Sequence, residues 1–157
     1  MSSVEMYDAI KSFLDARGVV YRTVHHEATH TSEESAIARN EDISVGGKAL
    51  LMKVDAAYLL FVISAAKKID SHKIKQRFGA KKLRFASAEE LLQHTGLVPG
   101  SVPPFGKPLL TLDLFIDTSI QQNTKIAFNA GSLTDSIIMQ VADYLRVANG
   151  HVFEFAE

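Results

Sequence analysis

Three helix-start signals alternate with apolar, β-branched runs along the chain, and this alternation restricts the fold more than any other feature. Residues 2–5, 31–34 and 87–90 each place a serine or threonine three positions before a glutamate, the pattern of a capping box. Residues 48–54 and 58–64 are two apolar runs separated by a short loop, which predicts a β-hairpin. The pattern therefore predicts an α/β chain in which helices and strands alternate.

The remaining segments continue this alternation. The first helix is predicted to end at Gly18, and a strand follows at residues 19–24. A basic helix is predicted to start at Asp70 and to end at Gly79. Further strands are predicted at residues 83–86, 109–116, 125–129, 136–141 and 151–155, with a short helix near residues 143–147. A length of 157 residues, 46% apolar, suits a single domain over residues 1–157.

Composition excludes several kinds of chemistry. The chain has no cysteine, so it has no disulfides, thiolate nucleophiles, thiolate zinc sites or iron–sulfur clusters. We expect neither a metal nor a cofactor. The N-terminus carries acids where a signal peptide carries positive charge, and no apolar run approaches the roughly 18–20 residues that span a bilayer. We therefore expect a cytoplasmic protein.

Positive charge is concentrated in residues 67–84, which we call the basic stretch. It holds eight lysines and arginines against one acid, a net charge of +7, whereas the whole chain carries −1 and the remainder therefore −8. Such a distribution suggests one face that meets a polyanion, and Lys73, Lys75 and Arg77 are the candidate nucleic-acid contacts. The alternative is a solvated helix face, because charge runs usually serve solvation.

Two short segments resemble known functional motifs in sequence but lack the secondary structure or the spacing that those motifs require. The sequence HEATH at residues 26–30 matches the H-E-x-x-H motif of zinc proteases, which works only on a helix, whereas here a strand precedes it and a helix start follows. We interpret it as a chance match. We expect His26 or Thr29 to line a pocket instead, because strand-to-helix junctions often carry sites. Residues 46–53 lack the spacing of a P-loop and lead into a strand, so they form no nucleotide-binding motif.

Three other features suggest a ligand site. Lys48 follows two glycines at the start of an apolar strand, which would place one ammonium at a pocket mouth, with a solvated edge lysine as the alternative. All four prolines lie in residues 99–108 near three of the nine glycines, which predicts a stiff loop with exposed backbone amides. Residues 128–132 end a strand in small residues, which allows close approach of a ligand or simply forms a tight turn.

Taken in order, residues 47–53, 100–106 and 129–131 resemble the YbaK/ProX family of aminoacyl-tRNA deacylases, free-standing relatives of the editing domain of bacterial prolyl-tRNA synthetases. The similarity covers essentially the whole chain, and residues 128–146 are most similar to the YeaK-type branch. The resemblance implies an α+β fold with a mixed, partly closed β-sheet or barrel surrounded by helices. It also implies hydrolysis of the ester joining a wrong amino acid, such as Ala, Ser or Thr, to tRNA.

The resemblance implies mischarged tRNA as a partner and is compatible with a homodimer or a transient contact with an aminoacyl-tRNA synthetase. Lys73, Lys75 and Arg77 then become candidate tRNA contacts. The implied catalytic residues are Lys48, Gly100 and Pro104. The candidate substrate-binding residues are His26, Thr29, Ser101, Val102, Pro103, Asn129, Ala130, Gly131 and Ser136. Relatives carry an acid where an ungapped match places Ser136 beside Asp135, so the role of that acid does not transfer.

These residues are chemically consistent with ester hydrolysis. The reaction develops an oxyanion, which the amides of a rigid loop can stabilise without a nucleophilic side chain. Lys48 would hold phosphate or ribose oxygens or polarise the ester, and we hypothesise that the substrate's own ribose hydroxyl activates the water. Two alternatives stay open: a non-catalytic module that binds aminoacyl-tRNA or an amino-acid signal, and a Schiff-base enzyme, which requires a buried Lys48 with a lowered pKa.

Overall fold

Helices and strands alternate along residues 2–157, the part of the chain that the computed structural model describes. The helices are α1 (Ser3–Ala16), α2 (Ser32–Arg39), α3 (Ser71–Phe78), α4 (Ala88–Thr95), α5 (Thr118–Gln121) and α6 (Val141–Ala148). The strands are β1 (Tyr21–His25), β2 (Gly47–Val54), β3 (Ala57–Ser64), β4 (Leu83–Phe85), β5 (Leu114–Ile116), β6 (Lys125–Asn129), β7 (Asp135–Gln140) and β8 (His151–Val152). Within these residues no helix is long and apolar enough to cross a membrane.

The strands form two sheets. In the five-stranded sheet, ordered β4-β2-β3-β5-β8, β2 pairs antiparallel with β3 and β4, while β5 runs parallel to β3 and β8. The three-stranded sheet β1-β7-β6 is antiparallel. A parallel bridge between Gly46 and Ala127 links the two sheets. The mixed, partly closed α+β arrangement is as predicted, and the two sheets do not form a closed barrel.

The β2–β3 hairpin sets the two faces of the five-stranded sheet. Its turn contains Asp55 at a φ of 52°, and the Asp55 carboxylate accepts hydrogen bonds from the amides of Lys81 and Lys82. Alternate hairpin side chains enter different apolar clusters, because successive strand residues point to opposite faces. One cluster contains Leu51, Leu60, Val62, Phe128 and Tyr144; the other contains Met52, Phe61, Ile63, Ile74 and Phe155. Lys48 lies four residues before Met52 on β2, so the two side chains point to the same face of the sheet. This is the face on which Met52 packs with Ile74 of α3.

Hydroxyl side chains cap the three predicted helix starts. Ser2, Thr31 and Ser87 each accept a hydrogen bond from the amide three residues later. Only the start of α4 is a complete capping box, in which Glu90 also accepts from the Ser87 amide. At α2 the Glu34 carboxylate instead accepts from the His30 amide, which fixes the segment before the helix. The three predicted helix starts are confirmed, whereas of the three predicted capping boxes only the one at α4 is complete.

Two predicted strands are shorter in the structure, because their backbones find other partners. Only Leu114–Ile116 of residues 109–116 is strand: Leu110 donates to the Gly106 carbonyl, and Leu110 and Leu112 pack into the core without a neighbouring strand. Only His151–Val152 of residues 151–155 is strand, since the amides of Phe155 and Ala156 donate to the buried Asp117 carboxylate. The short helix α5, which Asp117 caps, was not predicted.

Candidate functional site

A cavity of about 380 Å³ lies where α2, the start of β2, the proline-rich loop and the end of β6 meet. We call this cavity the pocket. Three of the predicted loop and strand elements therefore converge on one site. The lining residues are Thr29, His30, Thr31, Ser32, Ser35, Arg39, Gly46, Gly47, Lys48, Ala49, Leu50, Ala65, Pro99, Gly100, Val102 and Asn129.

Lys48 lies at the start of β2, directly after the two glycines, and lines the pocket. A Cβ at Gly47 would overlap the Ile126 side chain, so glycine permits β2 to approach β6 closely at this point. Lys48 is half-buried, and burial is the main cause that lowers its pKa. The charge of Lys68 lowers the pKa of Lys48 further, whereas the charge of Glu33 raises it. The predicted ammonium at a pocket mouth is therefore present, and it is partly desolvated.

The loop after α4 lines the pocket with Pro99, Gly100 and Val102. Gly100 has a φ of 85°, a conformation that favours glycine, and its carbonyl accepts from Asn129 Nδ2 at 2.8 Å. The amides of Gly100 and Val102 have no acceptor within residues 2–157. Ser101 is buried, and its hydroxyl donates to the Val98 carbonyl at 2.8 Å. The loop thus offers two backbone donors, while the Ser101 hydroxyl is engaged elsewhere.

Arg39 is one of the lining residues that the sequence reasoning missed, and apart from Lys48 it is the only lysine or arginine of the described chain that lines the pocket. It lies on the last turn of α2 and is buried, and its Nε donates to Ser136 Oγ at 2.9 Å while Nη2 donates to Asn129 Oδ1 at 3.0 Å. Burial lowers its pKa to about 10. The burial pattern of α2 supports this role, since Ser35 and Arg39 share its buried face while Ile37 is 81% exposed. A short helix that turns polar residues inward and an isoleucine outward indicates a polar site beneath it.

Ser136 is the centre of the hydrogen-bond network behind the pocket. Its hydroxyl meets His26 Nε2 at 2.8 Å and Arg39 Nε at 2.9 Å. His26 Nδ1 lies 2.8 Å from the Glu27 carbonyl, which can only accept, so Nδ1 carries the proton and Nε2 accepts from Ser136. Asp135 points the other way and pairs with the exposed His25 at 2.8 Å. Ser136 therefore supports the pocket, and Asp135 belongs to the outer surface.

Several of the candidate residues support the walls of the pocket without lining it. The Pro104 carbonyl accepts from the buried Tyr144 hydroxyl at 2.6 Å, and Pro103 is buried beside it. Ala130 and Gly131 are buried, and a Cβ at Gly131 would overlap Met6 of α1. The Gly131 amide donates to the Ser101 carbonyl at 2.9 Å, which joins the end of β6 to the loop.

The three candidate tRNA contacts on α3 differ in how they are held. Lys73 Nζ donates to the Ala156 carbonyl at 2.7 Å and lies 3.5 Å from Glu154 Oε2. The Arg77 guanidinium stands 4.9 Å from the centre of the Phe153 ring. Lys75 makes no ion pair within residues 2–157. None of the three lines the pocket, so any contact with tRNA lies outside it.

The pocket has the chemistry to bind electron-rich oxygen atoms. Arg39 and Lys48 line it together with Gly100 and Val102, whose amides have no acceptor within residues 2–157, and no carboxylate of the described chain lines it. Residues 2–157 contain no group of three His, Asp or Glu side chains that could hold a metal. The HEATH segment lies in a loop after β1, where His26 bonds to Ser136 and His30 lines the pocket, so the zinc-protease arrangement is absent from it. A cation-lined, acid-free cleft suits a phosphate or a developing oxyanion.

An open α+β fold with a cation-lined cleft describes a ligand-binding domain, and comparison with known families gives its class. Residues 26–147 match the family described as the aminoacyl-tRNA editing domain, a segment that contains every residue lining the pocket. The chain belongs to the aminoacyl-tRNA editing domain family. This membership confirms the resemblance drawn from residues 47–53, 100–106 and 129–131.

Individual relatives extend over almost the whole chain. The chain is 32% identical over 151 residues to the multifunctional Ser/Thr-tRNA deacylase ProXp-y of Escherichia coli K12, covering 92% of this chain and 89% of that protein. It is 25% identical over 157 residues to the prolyl-tRNA editing protein ProX of Acetoanaerobium sticklandii, covering 95% of each. A solved structure described as a proposed trans-editing enzyme for prolyl tRNA synthetase superposes with a TM-score of 0.84 at 23% identity, over 97% of each chain, which confirms the fold.

Proposed function

We propose that this chain hydrolyses the ester bond between a mischarged amino acid and tRNA, acting in trans. The observation that carries the proposal is the acid-free pocket, lined by Lys48 and the Gly100 loop, in a chain similar over nearly its full length to a named Ser/Thr-tRNA deacylase. A volume of about 380 Å³ is in the range of small-ligand sites, so the pocket suits the 3′-terminal nucleotide with its aminoacyl group.

Lys48 and the loop have complementary roles in this proposal. The ammonium of Lys48 binds phosphate or ribose oxygens or polarises the ester. The free amides of Gly100 and Val102 donate to substrate oxygens without any rearrangement of the loop. Such preorganised donors stabilise charge that develops during the reaction and make a nucleophilic side chain unnecessary. The attacking water is activated by the ribose hydroxyl of the substrate itself.

The amino acid removed is small, such as Ala, Ser or Thr. Four hydroxyl side chains, those of Thr29, Thr31, Ser32 and Ser35, line one side of the pocket. A site that hydrogen-bonds a hydroxyl discriminates strongly against analogues that lack it. This lining therefore favours Ser and Thr over Ala. Mischarged tRNA is the partner, and a homodimer or a transient contact with an aminoacyl-tRNA synthetase remains a prediction.

A deacylation screen tests the proposal. Purified protein is incubated with tRNAs carrying wrong Ala, Ser or Thr and with the same tRNAs correctly charged, and release of labelled amino acid is measured. We expect turnover of at least one mischarged form and little of the correctly charged ones. Tight binding without turnover of any form would support the non-catalytic module instead.

A Schiff-base enzyme is favoured by one observation, the lowered pKa of Lys48, because a neutral amine is the nucleophile in that chemistry. Borohydride reduction in the presence of carbonyl compounds traps such an adduct as a mass increase on Lys48. We expect no adduct, since half-exposure keeps this amine largely hydrated. A trapped adduct would replace the ester-hydrolase proposal.

A further inference from the structure

Arg39 is a buried cation that no acid of the described chain neutralises. Its side chain lines the pocket, the residue is 6% exposed, and none of the ion pairs within residues 2–157 includes it. Burial is the only cause that lowers its pKa, to about 10, so the guanidinium stays protonated at neutral pH. Because an unpaired buried charge opposes folding, a residue of this kind needs an explanation outside stability.

Two hydrogen bonds fix the guanidinium and leave one edge open. Nε is held by Ser136 Oγ and Nη2 by Asn129 Oδ1. Nη1 has no acceptor within the described residues. Every fully buried side-chain nitrogen and oxygen atom of those residues has a partner, so an atom without a partner is exposed. Nη1 is therefore open to the pocket that Arg39 lines. It lies beside Gly46, 3.6 Å from the place where a Cβ would stand. A side chain at Gly46 would therefore crowd the open edge.

We propose that the Nη1 edge of Arg39 binds the carbonyl oxygen of the scissile ester and stabilises the negative charge on it during hydrolysis. This inference rests on the proposed function. Water adds its oxygen to the ester carbon while the carbonyl π pair moves to the carbonyl oxygen, next to Arg39. The carbonyl then re-forms as the bond to the ribose oxygen breaks, and that ribose oxygen takes the proton that the water lost. The products are the free amino acid and a free ribose hydroxyl.

The positions of the two pocket cations separate their tasks. Lys48 is half-exposed and senses the charge of Lys68, so it is placed for a phosphate that stays in contact with solvent. Arg39 is buried and held rigidly, and a fixed donor in a water-poor site is where an oxyanion gains the most stabilisation. The guanidinium also repels the positive α-ammonium group of the substrate, which orients the ester relative to the hydroxyl-lined wall.

Removing the charge need not damage the fold. Ser136 Oγ donates its one proton to His26 Nε2 and keeps that partner without Arg39, and Asn129 is half-buried and lines the pocket, where water can donate to its Oδ1. An Arg39→Met substitution therefore leaves no acceptor sealed away from a donor and removes an uncompensated buried charge. A residue retained only for stability would behave in the opposite way, since its loss would lower the melting temperature.

The experiment compares Arg39→Met and Arg39→Ala with Arg22→Met, which removes an exposed arginine that pairs with Glu41. On mischarged tRNA we expect Arg39→Met to lower kcat by roughly 10²-fold or more with KM within about threefold, and to leave the melting temperature unchanged or higher. Guanidinium ions should restore part of the activity of Arg39→Ala, and Arg22→Met should behave as the parent. A kcat of Arg39→Met within threefold of the parent, or a loss that follows a lowered melting temperature and resists guanidinium, would overturn the proposal.

A binding measurement separates this inference from the proposed function. A phosphonate analogue of an aminoacyl-adenosine ester carries a tetrahedral anion, whereas the matching amide analogue is neutral. We expect the parent protein to prefer the phosphonate, and Arg39→Met to lose that preference while still binding the amide. If the parent protein deacylates tRNA but shows no such preference, the Arg39 proposal fails alone. If it neither deacylates nor prefers the phosphonate, both fail.

Discussion

The molecule carries positive charge in two regions, the pocket and the basic stretch, and holds it differently in each. In the pocket, Arg39 is buried and Lys48 half-buried, and neither pairs with a carboxylate within residues 2–157. In the basic stretch the cations are mostly exposed, and the chain itself engages Lys73, Arg77 and Arg84. We therefore expect a buried cation without an ion pair to be a better guide to function than the number of cations in a segment.

The two regions also differ in how their charges contribute to the free energy of folding. Burial lowers the pKa of Arg39 to about 10, so folding disfavours its charged form by an amount on the order of 3 kcal/mol. Because the folded pKa is the lower one, this cost is present at neutral pH and is relieved only as the pH rises above about 10. Ion pairs at the surface, such as Arg84 with Glu90, contribute little to stability, because water screens the charges. Burial of the Arg39 charge therefore lowers the stability of the fold, whereas the surface charges hardly change it.

Removal of the Lys48 charge tests the pocket side of this comparison with the largest expected effect. Lys48→Met keeps the aliphatic stem, so the fold should survive while kcat/KM on mischarged tRNA falls by roughly 10²-fold or more. The matched control is Lys53→Met, because Lys53 lies on the same strand with the opposite parity and its ammonium stands 5.6 Å from the centre of the Tyr58 ring. Near-normal turnover by a folded Lys48→Met protein would exclude Lys48 from the reaction.

The proline-rich loop is expected to act through its backbone, with the next largest effect. Gly100→Ala puts a Cβ on a residue at a φ of 85° and 3.4 Å from Leu133, which strains the loop by about 1–2 kcal/mol and displaces its free amide. We expect kcat/KM to fall about tenfold. Ser101→Ala should be mild, because its hydroxyl already donates to the Val98 carbonyl. Loss of turnover in Ser101→Ala, with an accumulating acyl-enzyme, would establish a nucleophilic mechanism instead.

The sequence predicted those parts of the site that depend on local pattern. The hairpin that presents Lys48, the strand Lys125–Asn129 and the stiff loop around Gly100 all follow from periodicity and from special backbone residues. Arg39 was missed because its role depends on burial against β6 and β7, distant in sequence, and nothing local marks an arginine on an eight-residue helix as buried. The ends of β5 and β8 were missed for a similar reason, since Asp117 and the Gly106 carbonyl replace strand partners.

Charge reversal in the basic stretch tests the surface side of the comparison. Lys73, Lys75 and Arg77 stay the predicted tRNA contacts, but Lys73 also binds the Ala156 carbonyl, so its loss mixes stability with binding. We therefore reverse Lys67, Lys68 and Lys75, which make no ion pair within residues 2–157. We expect KM for tRNA to rise several-fold, and the slope of log K against log salt to fall by somewhat under one unit for each lost contact.

The control for that triple variant is Lys81→Glu with Lys82→Glu. These residues adjoin the turn at Asp55, at the end of β2 away from Lys48, roughly 23 Å along the strand by the usual rise per residue. Their reversal should raise KM for tRNA less than the triple reversal does. Equal effects would mean that the surface acts only through its total charge, and no effect of either would mean that the stretch is solvated surface.

The smallest expected effect joins the two regions through the pKa of Lys48. Burial and the Lys68 charge lower this pKa, so if the protonated amine is needed, kcat/KM should fall with rising pH at a lower pH than for an ordinary lysine. Lys68→Met should move that alkaline limb upward, and Glu33→Gln should move it downward, because each removes one of the opposing charges. A minimal aminoacyl-adenosine ester is the substrate for this measurement, so that contacts with tRNA do not contribute.

Raising the salt concentration should reduce both shifts of the alkaline limb, since ions screen exposed charges, while the part of the pKa shift that burial causes stays. If neither substitution shifts the alkaline limb of the kcat/KM profile, Lys48 titrates independently of the basic stretch, and the two cationic regions act separately.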